Sequence, residues 1–182
     1  MAGGCSLPFR DRRDAGRVLA GRLTAYANRS DTAVVAPDLG AVKLAREHAR
    51  LLQVPMAFVH KTRLSGHDVE AHGVIGGVRS RTPLIVDDML STGGTIAAAV
   101  GALCEAGALE PMTVAVTHPL LVGHAHDVLR RLPITRLIVG NTVAVENAGD
   151  LSLAVTSVAP LIATAIRRNH CDESLADLRV RA

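Results

Sequence analysis

Six short apolar runs, most rich in β-branched residues, recur along the chain, and they constrain its fold more than any other feature. They are "TAVVAP" (32–37), "MAFVHK" (56–61), "TPLIVDD" (82–88), "MTVAVTHPL" (112–120), "ITRLIVGNT" (134–142) and "LSLAVTSV" (151–158). Strands that read as near-continuous apolar runs are buried on both faces, as in parallel sheets. Helical patterns separate them: "AVKLAREHARLLQ" (41–53), "GTIAAAVGALCEAG" (94–107, closed by Gly107), "GHAHDVLRRL" (123–132) and "APLIATAIRRNH" (159–170). Ahead of the first strand, Ala15, Val18, Leu19, Leu23 and Tyr26 recur at helical spacing, which predicts an amphipathic helix over ~9–27. The segment 62–77 is polar and weakly periodic and is expected to be a loop with at most a short edge strand. This alternation predicts an α/β fold with a mainly parallel, doubly wound sheet. The expected organisation is a single domain over 1–182, with a flexible tail over 173–182.

Composition closes off several classes. With 182 residues, 48% of them hydrophobic, the chain can bury a core without disulfides or metals. Three widely spaced cysteines, Cys5, Cys104 and Cys171, match neither a zinc pattern nor a disulfide framework. The N-terminus "MAGGCSLPFRDRR" lacks an apolar signal core and no run is long enough to span a bilayer, so a cytoplasmic protein without membrane partners is expected. The net charge is +3, carried almost wholly by arginine, with Lys43 and Lys61 the two lysines. Two Phe, one Tyr and no Trp leave little for stacking on bases, so a nucleic-acid partner is not expected.

In an open parallel sheet the ligand crevice lies beyond the carboxyl ends of the strands. Three segments therefore converge: "PDLGA", "HKTR" and "DDMLSTGGT". Ser91, Thr92, Gly93, Gly94 and Thr95 lead directly into a helix. A helix start offers unpaired N–H groups and a positive dipole end, and the glycines and hydroxyls add close approach and donors, so a phosphate site is expected. Asp87 and Asp88 repel phosphate but suit sugar hydroxyls or hydrated Mg²⁺. A phosphorylated ribose satisfies both demands. The Gly-Lys-Ser/Thr ending of a Walker loop and the G-x-G-x-x-G of a dinucleotide fold are both missing. Lys61 and Arg63, at the end of the second strand and opening a Gly-containing loop, are candidate stabilisers of a departing anion.

"LIVDDMLSTGGTI" (84–96) resembles the signature that binds 5-phosphoribosyl 1-diphosphate (PRPP) in type I phosphoribosyltransferases and PRPP synthetases. "VVAPDLGAVKLAR", "MAFVHKTR", "VTHPLLVGHA", "LIVGNT" and "APLIATAIRR" follow in synthetase order, so residues ~33–170 resemble the carboxyl-terminal half of a ribose-phosphate pyrophosphokinase. The opening "FRDRRDAGRVLAGRL" instead resembles the first helix of stand-alone bacterial phosphoribosyltransferases. The resemblance implies a type I phosphoribosyltransferase-like fold. It also implies that Asp87 and Asp88 hold the ribose hydroxyls and Ser91, Thr92, Gly93, Gly94 and Thr95 the 5′-phosphate. Asp38, Leu39, Gly40 and Ala41 would form the pyrophosphate loop, and Lys61 and Arg63 would be catalytic. Mg²⁺ is the implied cofactor, with Asp38 and Asp87 as its expected carboxylates, partly through water or ligand. Three positions depart from the synthetase pattern: Ser91 where Asp is usual, Ala41 where a second glycine is usual, and Thr62 where a further basic residue is common.

The expected function is a Mg-dependent transferase that uses PRPP and releases diphosphate. One alternative is a synthetase-like domain that binds ribose 5-phosphate and needs an ATP-binding partner, since residues 1–32 cannot replace an ATP domain. The other is a PRPP- or nucleotide-sensing protein without turnover. The acceptor is not legible, and a homodimer is compatible with such a fold. His124 and His126 flank Ala125 without an evident third metal ligand, and His118 follows a strand where it faces either the crevice or the core. His67 and His72 are expected to be solvated.

Overall fold

The computed structural model describes residues 23–63, 70–144 and 151–178. Seven strands form one sheet: β1 Thr32–Ala36, β2 Met56–Arg63, β3 Glu70–Ile75, β4 Thr82–Leu90, β5 Met112–Pro119, β6 Ile134–Gly140 and β7 Ser152–Thr156. Their order is β3-β2-β1-β4-β5-β6-β7, and every pairing is parallel except β2 with β3. Among the described residues three α-helices connect strands, α1 Val42–Leu52, α2 Gly94–Glu105 and α3 Ala125–Arg130, and a fourth, α4 Ala159–His170, follows β7. The expected α/β architecture is what the chain adopts. All six apolar runs are strands.

Neighbouring residues of one strand show why those runs are continuous. Val34 and Val35 are both fully buried, yet Val35 packs with Ile85, Ile96, Leu103 and Val114 on one face of the sheet. Val34 packs with Leu23, Ala45, Leu52 and Leu84 on the other. Each face has its own core, so alternation would leave a polar residue buried. Ala45, Ala49 and Leu52 form the buried face of α1. At the end of α2, Gly107 has φ 78°, its N–H donates to the Cys104 carbonyl at 3.0 Å, and the Ala108 N–H donates to Leu103 at 3.0 Å. That pair of bonds is a Schellman ending, for which the expected glycine is needed.

The segment 62–77 carries the short edge strand allowed for it, β3, which runs antiparallel along β2 at the sheet edge. β2 correspondingly continues through Arg63, with Lys61 opposite His72 and Arg63 opposite Glu70. An edge strand needs one apolar contact face rather than a continuous run, and Val74 supplies it by packing on the core around Ile85. Of the helix expected over ~9–27, Thr24–Tyr26 form a short 3₁₀ turn and residues 9–22 lie outside the described residues. At the start of the expected tail the Glu173 N–H donates to the Arg168 carbonyl at 2.8 Å and Arg167 pairs with Glu173 at 2.9 Å, and Ala176–Leu178 form a short 3₁₀ turn. Among the described residues no helix is long and apolar enough to cross a membrane.

Candidate active site

The parallel pairing of β1 with β4 brings the chain after each strand to one edge of the sheet. There, Asp38, Gly40, Asp87, Asp88 and the loop Ser91–Thr95 line one cavity of about 240 Å³. Segments some fifty residues apart in sequence, expected to share a ligand, thus share a wall. Leu39 and Ala41 do not line it. Leu39 points to solvent, and Ala41 is buried in the core beneath α1, where its methyl replaces the expected glycine hydrogen. Lys61 lies on the β2 backbone as expected, and Arg63, expected in the loop from residue 62, lies on the same strand, which continues through it paired to β3. Met89 and Leu90 also line the cavity and were not singled out by sequence reasoning, because neither bears a polar group.

The loop Ser91–Thr95 has the geometry of an anion cradle. Gly93 begins α2 with φ 84°, a left-handed conformation that strains any side chain. A Cβ there would also lie 3.3 Å from Val128 of α3. No side chain caps α2, and its first turn holds no acidic residue, so its positive end is neither screened nor satisfied from within the helix.

The carboxylates are differently placed. Asp87 is 9% exposed, and its Oδ1 accepts the Asp88 N–H at 2.8 Å. Burial pushes its carboxyl up to about 6; the neighbouring charges of Asp38 and Asp88 add to the rise, while the Asp88 amide opposes it. Asp88 is exposed and free to meet a ligand in the cavity. Asp38 Oδ1 accepts the N–H groups of Gly40 at 2.8 Å and Ala41 at 3.2 Å, so two amides of the expected pyrophosphate loop are held by their own carboxylate. Three acids face one cavity, and carboxylate oxygens suit a hard divalent cation. Among the described residues no three His, Cys, Asp or Glu close into a full protein cage. Mg²⁺ commonly takes one or two carboxylates and completes its shell with water and substrate phosphates, so the residues fit that ion.

The histidines resolve locally. His124 starts α3 with its Nδ1 3.6 Å from Asp127, and no metal cluster gathers around it or His126 among the described residues. His118 Nδ1 lies 2.8 Å from Thr142 Oγ1 at the carboxyl edge of β5 and β6. Thr142 was missed because this contact depends on strand order.

A seven-stranded, mostly parallel sheet with an acidic pair and a hydroxyl–glycine cradle at its carboxyl edge places the chain in a class: it belongs to the phosphoribosyl transferase domain family, whose match covers residues 11–130. A ribose-phosphate pyrophosphokinase from Streptomyces avermitilis is 38% identical over 164 residues, which are 88% of this chain and 50% of that protein. The phosphoribosylpyrophosphate synthetase of Mycobacterium smegmatis superposes with a TM-score of 0.75 at 38% identity, over 87% of this chain and 51% of that one. The chain therefore spans about half the length of the synthetases it matches. The APRTase of Giardia lamblia shares the fold at a TM-score of 0.52 and 21% identity, over 70% of this chain and 78% of that one.

Proposed function

We propose that the cavity binds the 5-phosphoribosyl group, with the 5′-phosphate on Ser91–Thr95 and the ribose 2′- and 3′-hydroxyls on Asp87 and Asp88. The observation that carries this is the shared wall: an acidic pair and an uncapped helix start line one small cavity. An acid pair alone would suit a metal and a helix start alone any anion. Together they suit a ligand with a diol at one end and a phosphate at the other.

The chemistry proposed is Mg-dependent transfer of the phosphoribosyl group from PRPP with release of diphosphate. Breaking the bond at the anomeric carbon builds positive charge on the ribose and negative charge on the leaving diphosphate. Lys61 and Arg63 would stabilise the leaving group electrostatically, and Asp38 and Asp87 would hold the cation. Bound Mg²⁺ would supply charge neutralisation of the diphosphate. Lys61→Ala tests these roles: turnover should fall about 10²- to 10³-fold with PRPP affinity largely kept. Unchanged turnover would remove Lys61 from the reaction.

A second reading has an observation of its own. Curated relatives that the chain matches carry the name ribose-phosphate pyrophosphokinase, which weighs toward a ribose 5-phosphate-binding half of a diphosphate-transferring enzyme. The chain spans about half of those proteins, so on this reading ATP would be brought by the half it does not match. Titration with PRPP, ribose 5-phosphate and ATP, each with Mg²⁺, separates the two. Tight PRPP binding without ATP binding supports the transferase, and PRPP formation from ribose 5-phosphate and ATP on adding a partner supports the synthetase.

A further inference from the structure

The outer side of α4 is built unlike that of α1. α1 turns Lys43, Arg46 and Arg50 to solvent, the charged side of a helix that lies on a sheet. α4 turns out Ala159, Ile162, Ala163 and Ile166 instead, with Ile162 exposed to 53% and Ile166 to 65%. At about 100° per residue these four positions form one stripe along the helix. The inner side is marked by Thr164, which is buried and donates its hydroxyl to the Pro160 carbonyl at 2.8 Å. A helix face that is apolar and three turns long is a contact surface rather than a solvent surface.

Charge does not oppose a cover over this stripe. Ala159–His170 contains no acid, and its basic last turn is held by the chain that follows. Arg167 pairs with Glu173 at 2.9 Å, and the Arg168 guanidinium donates to the Ser174 carbonyl at 3.0 Å. The stripe itself is neutral, so two copies of it meet without like charges opposed.

The order of residues along the stripe makes it complementary to itself. It alternates small and large: Ala159, Ile162, Ala163, Ile166. Cross two copies antiparallel about a two-fold axis between positions 162 and 163. Ile162 then lies against Ala163 of the partner subunit, and Ile166 against Ala159 of the partner subunit. Each bulky side chain meets a small one, so the ridge of one helix fills the hollow of the other, and the axis repeats every contact.

We propose that α4 is the contact helix of a two-fold homodimer, with the Ala159–Ile166 stripes of two copies crossed antiparallel. None of these residues lines the candidate site, so the dimer stands or falls independently of the phosphoribosyl reading. Twelve helical residues span about 18 Å. Such a pair buries less than the roughly 1,200–2,000 Å² of a stable interface, so the dimer is weak and concentration-dependent.

Sedimentation of the full chain from low to high micromolar concentration tests this. The mass should rise from monomer toward dimer. Ile162→Glu should weaken the association at least about tenfold, because its carboxylate would have to be buried in the contact. Ala163→Lys should weaken it in the same way. Mixed in equal amounts, the two variants should associate more tightly than either does alone, because the crossing sets the two substituted positions against each other with opposite charges. Both positions are exposed in the single chain, so thermal melts at low concentration should match the wild type. A wild-type chain that stays monomeric overturns the dimer. If its melting point also falls in Ile162→Glu, another part of the same chain covers the stripe. A mass rise that Ile162→Glu leaves unchanged places the contact elsewhere and overturns the proposal equally. A mixture no tighter than its components contradicts the antiparallel crossing.

Discussion

Two loops of this chain each carry a parallel strand into a helix, and they treat their backbone amides in opposite ways. After β1, Asp38 folds back and takes the N–H groups of Gly40 and Ala41. After β4, no side chain caps α2, and Gly93 in its left-handed conformation opens the turn toward the cavity. The first loop is closed on its own carboxylate and the second is open to an outside anion. Both line the same cavity. The difference separates a helix start left open toward the cavity from a loop whose amides become available only if Asp38 turns to another partner, such as a cation.

The sharpest break between the two halves of the sugar-phosphate cradle comes from the acids. Replacing Asp87 and Asp88 together by Ala should lower ribose 5-phosphate affinity about 100-fold or more, since each carboxylate hydrogen bond is worth about 1.5–3 kcal/mol. Inorganic phosphate, which needs the Ser91–Thr95 loop alone, should bind as well as before or better. Calorimetric titration of both ligands reads the contrast, and a parallel loss for the two would mean that the acids support the loop's shape rather than the sugar.

A smaller effect follows from the raised carboxyl of Asp87. Its ordinary value is 3.8, and in the folded chain it stands at about 6. Between those values the folded state binds more protons than the unfolded chain. The stability this group contributes is therefore full below pH about 4 and lost as pH rises through about 6. The difference amounts to about 2–3 kcal/mol. Asp87→Asn should flatten that part of the stability curve in denaturant titrations from pH 4 to 7, and a slope unchanged by the substitution would assign it to other groups.

The smallest change tests the closed loop itself. Asp38→Ala frees the Gly40 and Ala41 amides and removes a negative charge that helps raise Asp87. Metal-free inorganic diphosphate should bind about fivefold more tightly, and the Asp87 transition should move to lower pH. Diphosphate affinity that falls without metal would show that the loop needs Asp38 for its shape.

These loops also mark where the sequence is legible. The strands could be read because burial on both faces demands unbroken apolar runs, as Val34 and Val35 demonstrate by packing to opposite sides. The Gly-containing helix start after β4 could be read because left-handed backbone at Gly93 favours glycine. β3 could be read only as a short edge strand without bounds, since "EAHGVI" carries little apolar signal and is specified by pairing with β2. For the same reason Lys61 was expected to end the second strand, whereas β2 runs on through Arg63. The Asp38 turn was hidden because an aspartate that binds a ligand and one that binds its own amides look identical in sequence. The His118–Thr142 pair was hidden because it depends on β5 and β6 lying side by side.

The central claim is that one cavity recognises phosphate and ribose together. Isothermal titration of the full chain with ribose 5-phosphate and Mg²⁺ tests it most directly. The account predicts saturable one-to-one binding that the Asp87→Ala, Asp88→Ala double variant abolishes. No binding by the wild-type chain, or binding that the double variant leaves intact, would contradict it.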